Sequence, residues 1–178
     1  MRRAISLFLA FCLSGFATAA SANCRDQPEC ASLRDLSRLD VVVSRLSEES
    51  TALGLAREEL RTMALITIRA RAPKIKQEQG SHVPYIYIDV LAYEKDKGLF
   101  ADQKRYAVAT ITIALIYPLR TAMPWLSRDQ KSVVQATLWS KSTLLTGTLS
   151  NMRQRVLQAL ESTLTVFARD WSKVNPDQ

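Results

Sequence analysis

The chain contains a single histidine, His82, and three cysteines among its 178 residues. It has no glycine-rich phosphate loop, no His-Glu-x-x-His zinc motif, no calcium-loop spacing and neither of the serine-nucleophile patterns Gly-x-Ser-x-Gly and Ser-x-x-Lys. A catalytic histidine needs a nucleophile and an orienting acid beside it, and the sequence around His82 indicates neither. We therefore interpret His82 as a solvated loop residue, and we expect no cofactor and no bound metal.

No apolar run is long enough to cross a bilayer. The run at residues 4–17 has 14 residues, short of the ~20 that a spanning helix needs. It follows Arg2 and Arg3 and precedes the small-residue triplet 20–22, and these are the three parts of a secretory signal peptide. We expect residues 1–22 to be cleaved off after Ala22, which predicts a periplasmic or secreted protein. The lack of any Asn-x-Ser/Thr acceptor fits a bacterial periplasmic chain.

Two cysteines, Cys24 and Cys30, remain after the expected cleavage. Thiols pair in an oxidising compartment, and five intervening residues are too many for a Cys-x-x-Cys redox motif. We therefore predict a disulfide that staples an N-terminal arm, residues 23–38. Lipidation of Cys24 is the alternative, but Asn23 in front of it does not match a lipoprotein signal.

Basic residues outnumber acidic ones by 24 to 17, for a formal net charge of +7. Loss of Arg2 and Arg3 with the signal segment lowers that charge by two. In an exported protein the natural polyanions are membrane headgroups, glycans or an acidic partner, so we do not expect nucleic acid as a partner.

Hydrophobic periodicity predicts the secondary structure. The segment 56–71 has apolar residues at helical spacing and is stopped by Pro73, although a strand over 64–72 is the alternative. The segment 105–119 is too long for an ordinary strand, so we expect a bend or bulge near its end. The remaining predictions are strands at 39–46, 74–78, 83–94 and 132–141, a polar connection at 47–54, and an amphipathic helix that starts near residue 150 and stops before Pro176.

These elements predict a single α+β domain over residues 39–178. The order β-α-β-β-β-β-α implies a two-layer sandwich, with two helices on one face of a mostly antiparallel sheet of four to five strands. The last three strands are expected to form an antiparallel meander.

Strand alternation divides the side chains between the two faces of this sheet. If the helices cover the Ile/Val/Leu face, the other face presents aromatic rings, hydroxyls and an amide, which are suited to binding a peptide, a glycan or a partner domain. Tyr, Thr and Trp are also good strand formers, and an ordinary wet face is the simpler interpretation. The predicted face residues are Tyr85, Tyr87, Tyr106, Thr110, Thr112, Gln135, Thr137 and Trp139.

Two further surfaces are candidates for binding. The loop 118–131 contains two prolines and the apolar residues Met123, Trp125 and Leu126 between basic residues, so it either dips into a membrane interface or folds back onto the core. A strand edge near 69–76 accepts an extended peptide or is merely protected by its charges. The basic residues there are Arg69, Arg71, Lys74 and Lys76.

Three short segments carry a resemblance: "PYIYI" (84–88), "TLW" (137–139) and "FARDW" through "NP" (167–176). They resemble a family of secreted or periplasmic bacterial α+β domains. The element order is also similar to the N-terminal domain of the translocation protein TolB and to envelope-assembly lipoprotein domains. The resemblance implies a fold, and no site residue is carried over from it.

We therefore predict a non-catalytic, exported binding domain that recognises a protein or an anionic envelope component. Peripheral contact with a membrane is part of that prediction. The alternative is a small secreted hydrolase that uses Asp89 with a second, unidentified residue. A deep cleft with a second acid near Asp89 would favour the hydrolase, and a flat exposed sheet would favour binding.

Overall fold

The structure is a computed structural model that describes residues 31–80, 83–94, 106–121 and 132–176. It shows a single sheet with its helices on one face. In chain order the elements of this described part are β1 (Arg38–Val43), α1 (Glu48–Ala52), α2 (Arg57–Arg71), β2 (Lys76–Gln77), β3 (Tyr85–Glu94), β4 (Tyr106–Thr121), β5 (Ser132–Thr148) and α3 (Leu149–Val174).

The sheet has the strand order β2-β1-β3-β4-β5. Strand β1 is parallel to both of its neighbours, whereas β3, β4 and β5 form the predicted antiparallel meander. The α+β class is confirmed. The sheet is mixed, however, and not mostly antiparallel, because the chain crosses over through α1 and α2 before it returns to pair on either side of β1.

Helix α1 was missed by the sequence prediction, which treated residues 47–54 as a polar connection. The helix begins because the Ser47 hydroxyl accepts the Ser50 backbone N–H at 3.1 Å, a typical N-terminal cap. Helix α2 confirms the helix predicted over 56–71, and the alternative strand over 64–72 is wrong. No helix in the described part of the chain is long and apolar enough to cross a membrane.

The core lies between the helices and one face of the sheet, and it confirms the predicted alternation along β3 and β4. Burying these aliphatic side chains is the main term that stabilises the fold. The buried residues include Ile86, Ile88, Val90 and Ala92 from β3, Ala109, Ile111, Ile113 and Leu115 from β4, Leu60, Ala64 and Ile68 from α2, and Val156, Leu160, Leu164 and Phe167 from α3.

The segment before β1 is tied to the end of α3. Leu33 and Leu36 are buried in the core. The indole N–H of Trp171 donates to the Leu36 carbonyl at 2.9 Å, and the side-chain amide of Asn175 donates to the Leu33 carbonyl at 2.9 Å. The Asn175 side-chain oxygen also accepts the Asp35 backbone N–H at 2.9 Å. The predicted signal segment, Cys24 and Cys30 lie outside the described residues.

A β-bulge interrupts the pairing of β4 and β5. Leu115 pairs with Trp139, but Ile116 pairs with Thr137, so Leu138 has no residue opposite it. The register shift falls beside Leu115 and Ile116, near the end of the segment 105–119 where the sequence predicted a bend or bulge, but the extra residue belongs to β5 and β4 itself is continuous. An extra residue breaks the alternation of side chains, and Thr137 and Trp139 consequently lie on opposite faces.

Trp139 lies on the helix-covered face and is only 2% exposed. Its ring meets Phe167 edge to face, with centroids 5.3 Å apart. The prediction that Trp139 belongs to the uncovered face is therefore wrong, because that prediction carried strict alternation through the bulge.

Candidate interaction surface on the uncovered sheet face

The sheet face opposite the helices is here called the open face. Its side chains line up across the strands in rows set by the pairing register. None of the helices in the described residues covers it, and several of its large side chains are exposed. The rows are Val42–Tyr87–Ala114–Ser140, Ser44–Asp89–Thr112–Ser142, Leu91–Thr110–Leu144, Tyr93–Val108–Thr146 and Tyr106–Thr148, with Asp40–Tyr85–Ile116–Thr137 at the β1 end.

The structure places seven of the eight predicted face residues on the open face, and Trp139 is the exception. The seven are half-buried or exposed: Tyr85, Tyr87, Tyr106, Thr110, Thr112, Gln135 and Thr137. They do not form one compact site, because they are distributed along the strands between the two ends of the face. The face is thus a broad platform and not a pocket.

Among the described residues, the most exposed apolar part of the open face lies at the end of the sheet formed by the last residues of β3, the first residues of β4 and the last residues of β5. Leu144 is 68% exposed, Tyr93 62% and Tyr106 53%, and Leu91 lies in the same row as Leu144. We call Leu91, Tyr93, Tyr106 and Leu144 the apolar end. The sequence prediction did not include Leu144, because it ended the last strand at residue 141, whereas β5 continues to Thr148.

A row of polar side chains crosses the middle of the open face. The Ser44 hydroxyl donates to the Asp89 carboxylate at 2.5 Å, and the Thr112 and Ser142 hydroxyls are hydrogen bonded at 2.9 Å. Asp89 and Thr112 are directly paired residues of β3 and β4. These contacts fix the orientation of the Asp89 carboxylate and make the centre of the face polar.

Tyr85 and Tyr87 lie toward the other end of the open face, and both side chains are half-buried. Burial raises the pKa of the Tyr85 hydroxyl above its ordinary value, and neighbouring Tyr87 raises it further. A tyrosine hydroxyl is protonated at neutral pH in any case, and this shift of its pKa extends that range upward, so Tyr85 can donate a hydrogen bond to a bound group.

Among the described residues, no second acid is brought to Asp89 in a cleft. The described residues contain no group of three or more His, Cys, Asp and Glu side chains placed to hold a metal. A cavity of about 230 Å³ between α1 and the ends of β3 and β4 is lined partly by Glu48, Glu49 and Tyr93, and Asp89 does not line it. In the described part of the chain, Asp89 thus faces a flat surface.

The edge of the sheet at β1 is closed by side chains of α2. Arg57 donates to the Val43 carbonyl at 3.0 Å, and Arg61 donates to the Val41 carbonyl at 3.1 Å. Carbonyls of an exposed edge are ready templates for another strand, so these two arginines block pairing there. The predicted basic edge residues lie farther along: Arg69 and Arg71 in the last turn of α2, Lys74 in the turn that follows it, and Lys76 in β2.

The predicted membrane loop with Met123, Trp125 and Leu126 lies outside the described residues, and so does His82. The prediction of a membrane-dipping loop remains a prediction.

Comparisons with known proteins give structural likenesses only. No protein-family profile matches the chain, and no curated protein sequence matches it. Among solved structures, a minor lipoprotein from Acinetobacter baumannii is similar at 11% identity over 78% of this chain and 92% of that one, with a TM-score of 0.34. The PelC dodecamer from Paraburkholderia phytofirmans is similar at 17% identity over 79% and 89%, with a TM-score of 0.36. Rare lipoprotein B from Shewanella oneidensis is similar at 12% identity over 79% and 99%, with a TM-score of 0.30.

The class of bacterial lipoproteins named from the sequence is therefore represented among the similar structures. These TM-scores are low, and the likenesses carry no argument about what the chain binds.

Proposed function

We propose that this protein is a non-catalytic, exported binding domain whose open face docks a partner protein. The observation that supports the proposal is the exposed apolar end, formed by Leu91, Tyr93, Tyr106 and Leu144 on a face that no described helix covers. Exposed aromatic and aliphatic groups grouped on one surface are typical of protein interaction sites.

The charge of the face favours a protein over an anionic envelope component. Among the described side chains in the open-face rows, the charged groups are Asp89 on β3 and Asp40 on β1, and Asp40 is paired with Arg61 at 3.5 Å. An anionic lipid or glycan would need lysines and arginines there. Among its described side chains the face is largely neutral, with a fixed carboxylate at its centre, which fits a protein surface that carries apolar side chains and a hydrogen-bond donor for Asp89.

The same geometry supports binding over hydrolysis. Paired carboxylates perform glycosidic chemistry when they face each other across a substrate, whereas Asp89 accepts a hydrogen bond from Ser44 on a flat surface. We therefore favour a positioning or recognition role for Asp89 within the binding face.

Site-specific photo-crosslinking in intact cells tests the proposal. A photoreactive residue at position 144 or 106, on the open face, should capture the same discrete partner band. A matched control at Lys173, which is exposed on α3, should not capture it, and Leu144→Asp should abolish capture from position 106. Equal capture from position 173, or no capture from the open face of a folded protein, would contradict the proposal. Binding of the purified chain to anionic vesicles that Leu144→Asp leaves unchanged would point to a lipid instead.

A further inference from the structure

A groove lies between α2 and α3, on the helical side of the domain and away from the open face. It is a shallow groove open to solvent, with a volume of about 590 Å³. Its floor includes Met63 and the buried Thr67, and its rim carries Ile66 and the carboxylates Glu58, Glu59 and Glu161.

The local sequence explains why an apolar side chain stands on this rim. Glu58, Thr62 and Ile66 are spaced four residues apart and therefore form one line along α2. Burial of Leu60 and Ile68 toward the sheet turns this line away from the core. Ile66 is consequently 64% exposed, although burying it would be favourable.

The charge of the groove is opposite to that of the chain. The protein has a formal net charge of +7 with 17 acidic residues in all, and three of those acids line this groove. Glu59 is held in an ion pair with Arg153, which also donates to the Gly54 carbonyl at 3.1 Å. Glu58 and Glu161 are exposed on the rim, where they are available to a cationic group.

We propose that this groove is a second docking site, which takes a cationic amphipathic segment of a partner protein. The segment places an apolar side chain over Ile66 and Met63 and directs lysine or arginine toward Glu58 and Glu161. Helix-in-groove recognition of this kind uses apolar anchors at helical spacing, and charge complementarity contributes mainly to specificity and association rate. The carboxylates of the rim disfavour an anionic membrane as the occupant.

The test uses a synthetic peptide of about 14 residues, roughly four helical turns, with leucine at helical spacing and lysine elsewhere. Two sister peptides serve as probes of the chemistry, one with glutamate in place of lysine and one with serine in place of leucine. Isothermal titration calorimetry with the purified chain at low ionic strength should show binding of the Leu/Lys peptide and neither of its sisters.

Variants locate the bound peptide. Ile66→Ser should weaken binding about tenfold, as expected when an exposed apolar side chain that the bound segment covers is replaced by a polar one. The double variant Glu58→Gln with Glu161→Gln should weaken it by a similar factor and reduce its dependence on salt. Leu144→Ser, on the open face, is the matched control and should bind as the parent chain does.

Equal affinity of the Ile66→Ser and parent chains, or equal binding of the Ser/Lys peptide, would overturn the proposal, because either result removes the apolar anchor from the interaction. Binding that Leu144→Ser abolishes would assign the peptide to the open face instead. A folded parent chain that binds no peptide would also overturn it.

Discussion

The position of Trp139 gives a sharp test of the fold. If β4 and β5 alternated without interruption, Trp139 would lie on the open face, and replacing it with alanine would have little effect on stability. In the structure the bulge at Leu138 turns Trp139 into the core, where it contacts Phe167. Trp139→Ala therefore distinguishes the two arrangements.

The size of the expected effect follows from burial. Trp139 is 2% exposed, a large aromatic side chain buries about 150–250 Å², and each Å² of apolar area contributes about 25 cal/mol. The product is an upper estimate of about 4–6 kcal/mol, and core Trp→Ala substitutions cost about 3–5 kcal/mol. The edge-to-face contact with Phe167 should account for about 0.5–1.5 kcal/mol of coupling.

Urea unfolding followed by circular dichroism at the helical band measures this loss, since the helices report on the whole domain. Leu144→Ala is the matched control, because Leu144 belongs to the same strand but is 68% exposed on the opposite face of the sheet. The free energy of unfolding of this control should change by about 0.5 kcal/mol or less. If Trp139→Ala loses no more than Leu144→Ala, the bulge is misplaced. In that case the open face gains a tryptophan and the register of β5 must be revised.

Three further changes test other parts of the fold. Asn175→Ala removes three hydrogen bonds to backbone groups, so the free energy of unfolding should fall by about 2–3 kcal/mol. Amide exchange over residues 31–36 should also accelerate, and unchanged exchange would show that Asn175 does not hold this segment in place. Replacing both Arg57 and Arg61 with methionine frees two edge carbonyls, and light scattering should then show self-association of the chain. If the variant scatters light as the parent chain does, another group closes this edge. The raised pKa of Tyr85 means that the unfolded chain ionises first, from pH 10.0 upward, so stability that is full below that pH should fall as the pH rises through the folded-state pKa. Chemical denaturation at about pH 9 and about pH 11 should show a smaller loss of unfolding free energy for Tyr85→Phe than for the parent chain. An equal loss in the two chains would show that other groups cause it.

The regular parts of the fold were predictable because periodicity alone determines them. The alternation in β3 and β4 identified Ile86, Ile88, Ile111 and Ile113 as core residues, and helical spacing with Pro73 as a stop gave the bounds of α2 to within a residue. A pattern of this kind depends only on which side of the chain meets water.

The missed features depend on single residues and on tertiary contacts. Helix α1 depends on one serine cap, and a five-residue helix has too little length for periodicity to show. The bulge at Leu138 leaves no mark in the sequence, because Thr137, Leu138 and Trp139 are all acceptable strand residues. The parallel pairing of β1 with β3 was also not visible, because pairing direction is set by where the crossover places the strand.

The composition of the open face favours the proposed docking surface over an ordinary wet face. Exposed sheet edges are commonly protected from association by charged side chains, and the arginines of α2 protect the β1 edge of this sheet in that way. Across the described side chains of β3, β4 and β5, the open face instead presents one carboxylate, held by a serine, and groups its exposed aliphatic and aromatic side chains at one end. The chain therefore protects the edge at which pairing would be non-specific and leaves unprotected the face at which side-chain chemistry can select a partner. For that reason a single charge placed at the apolar end, as in Leu144→Asp, should abolish partner capture while it leaves the core, and hence the free energy of unfolding, nearly unchanged.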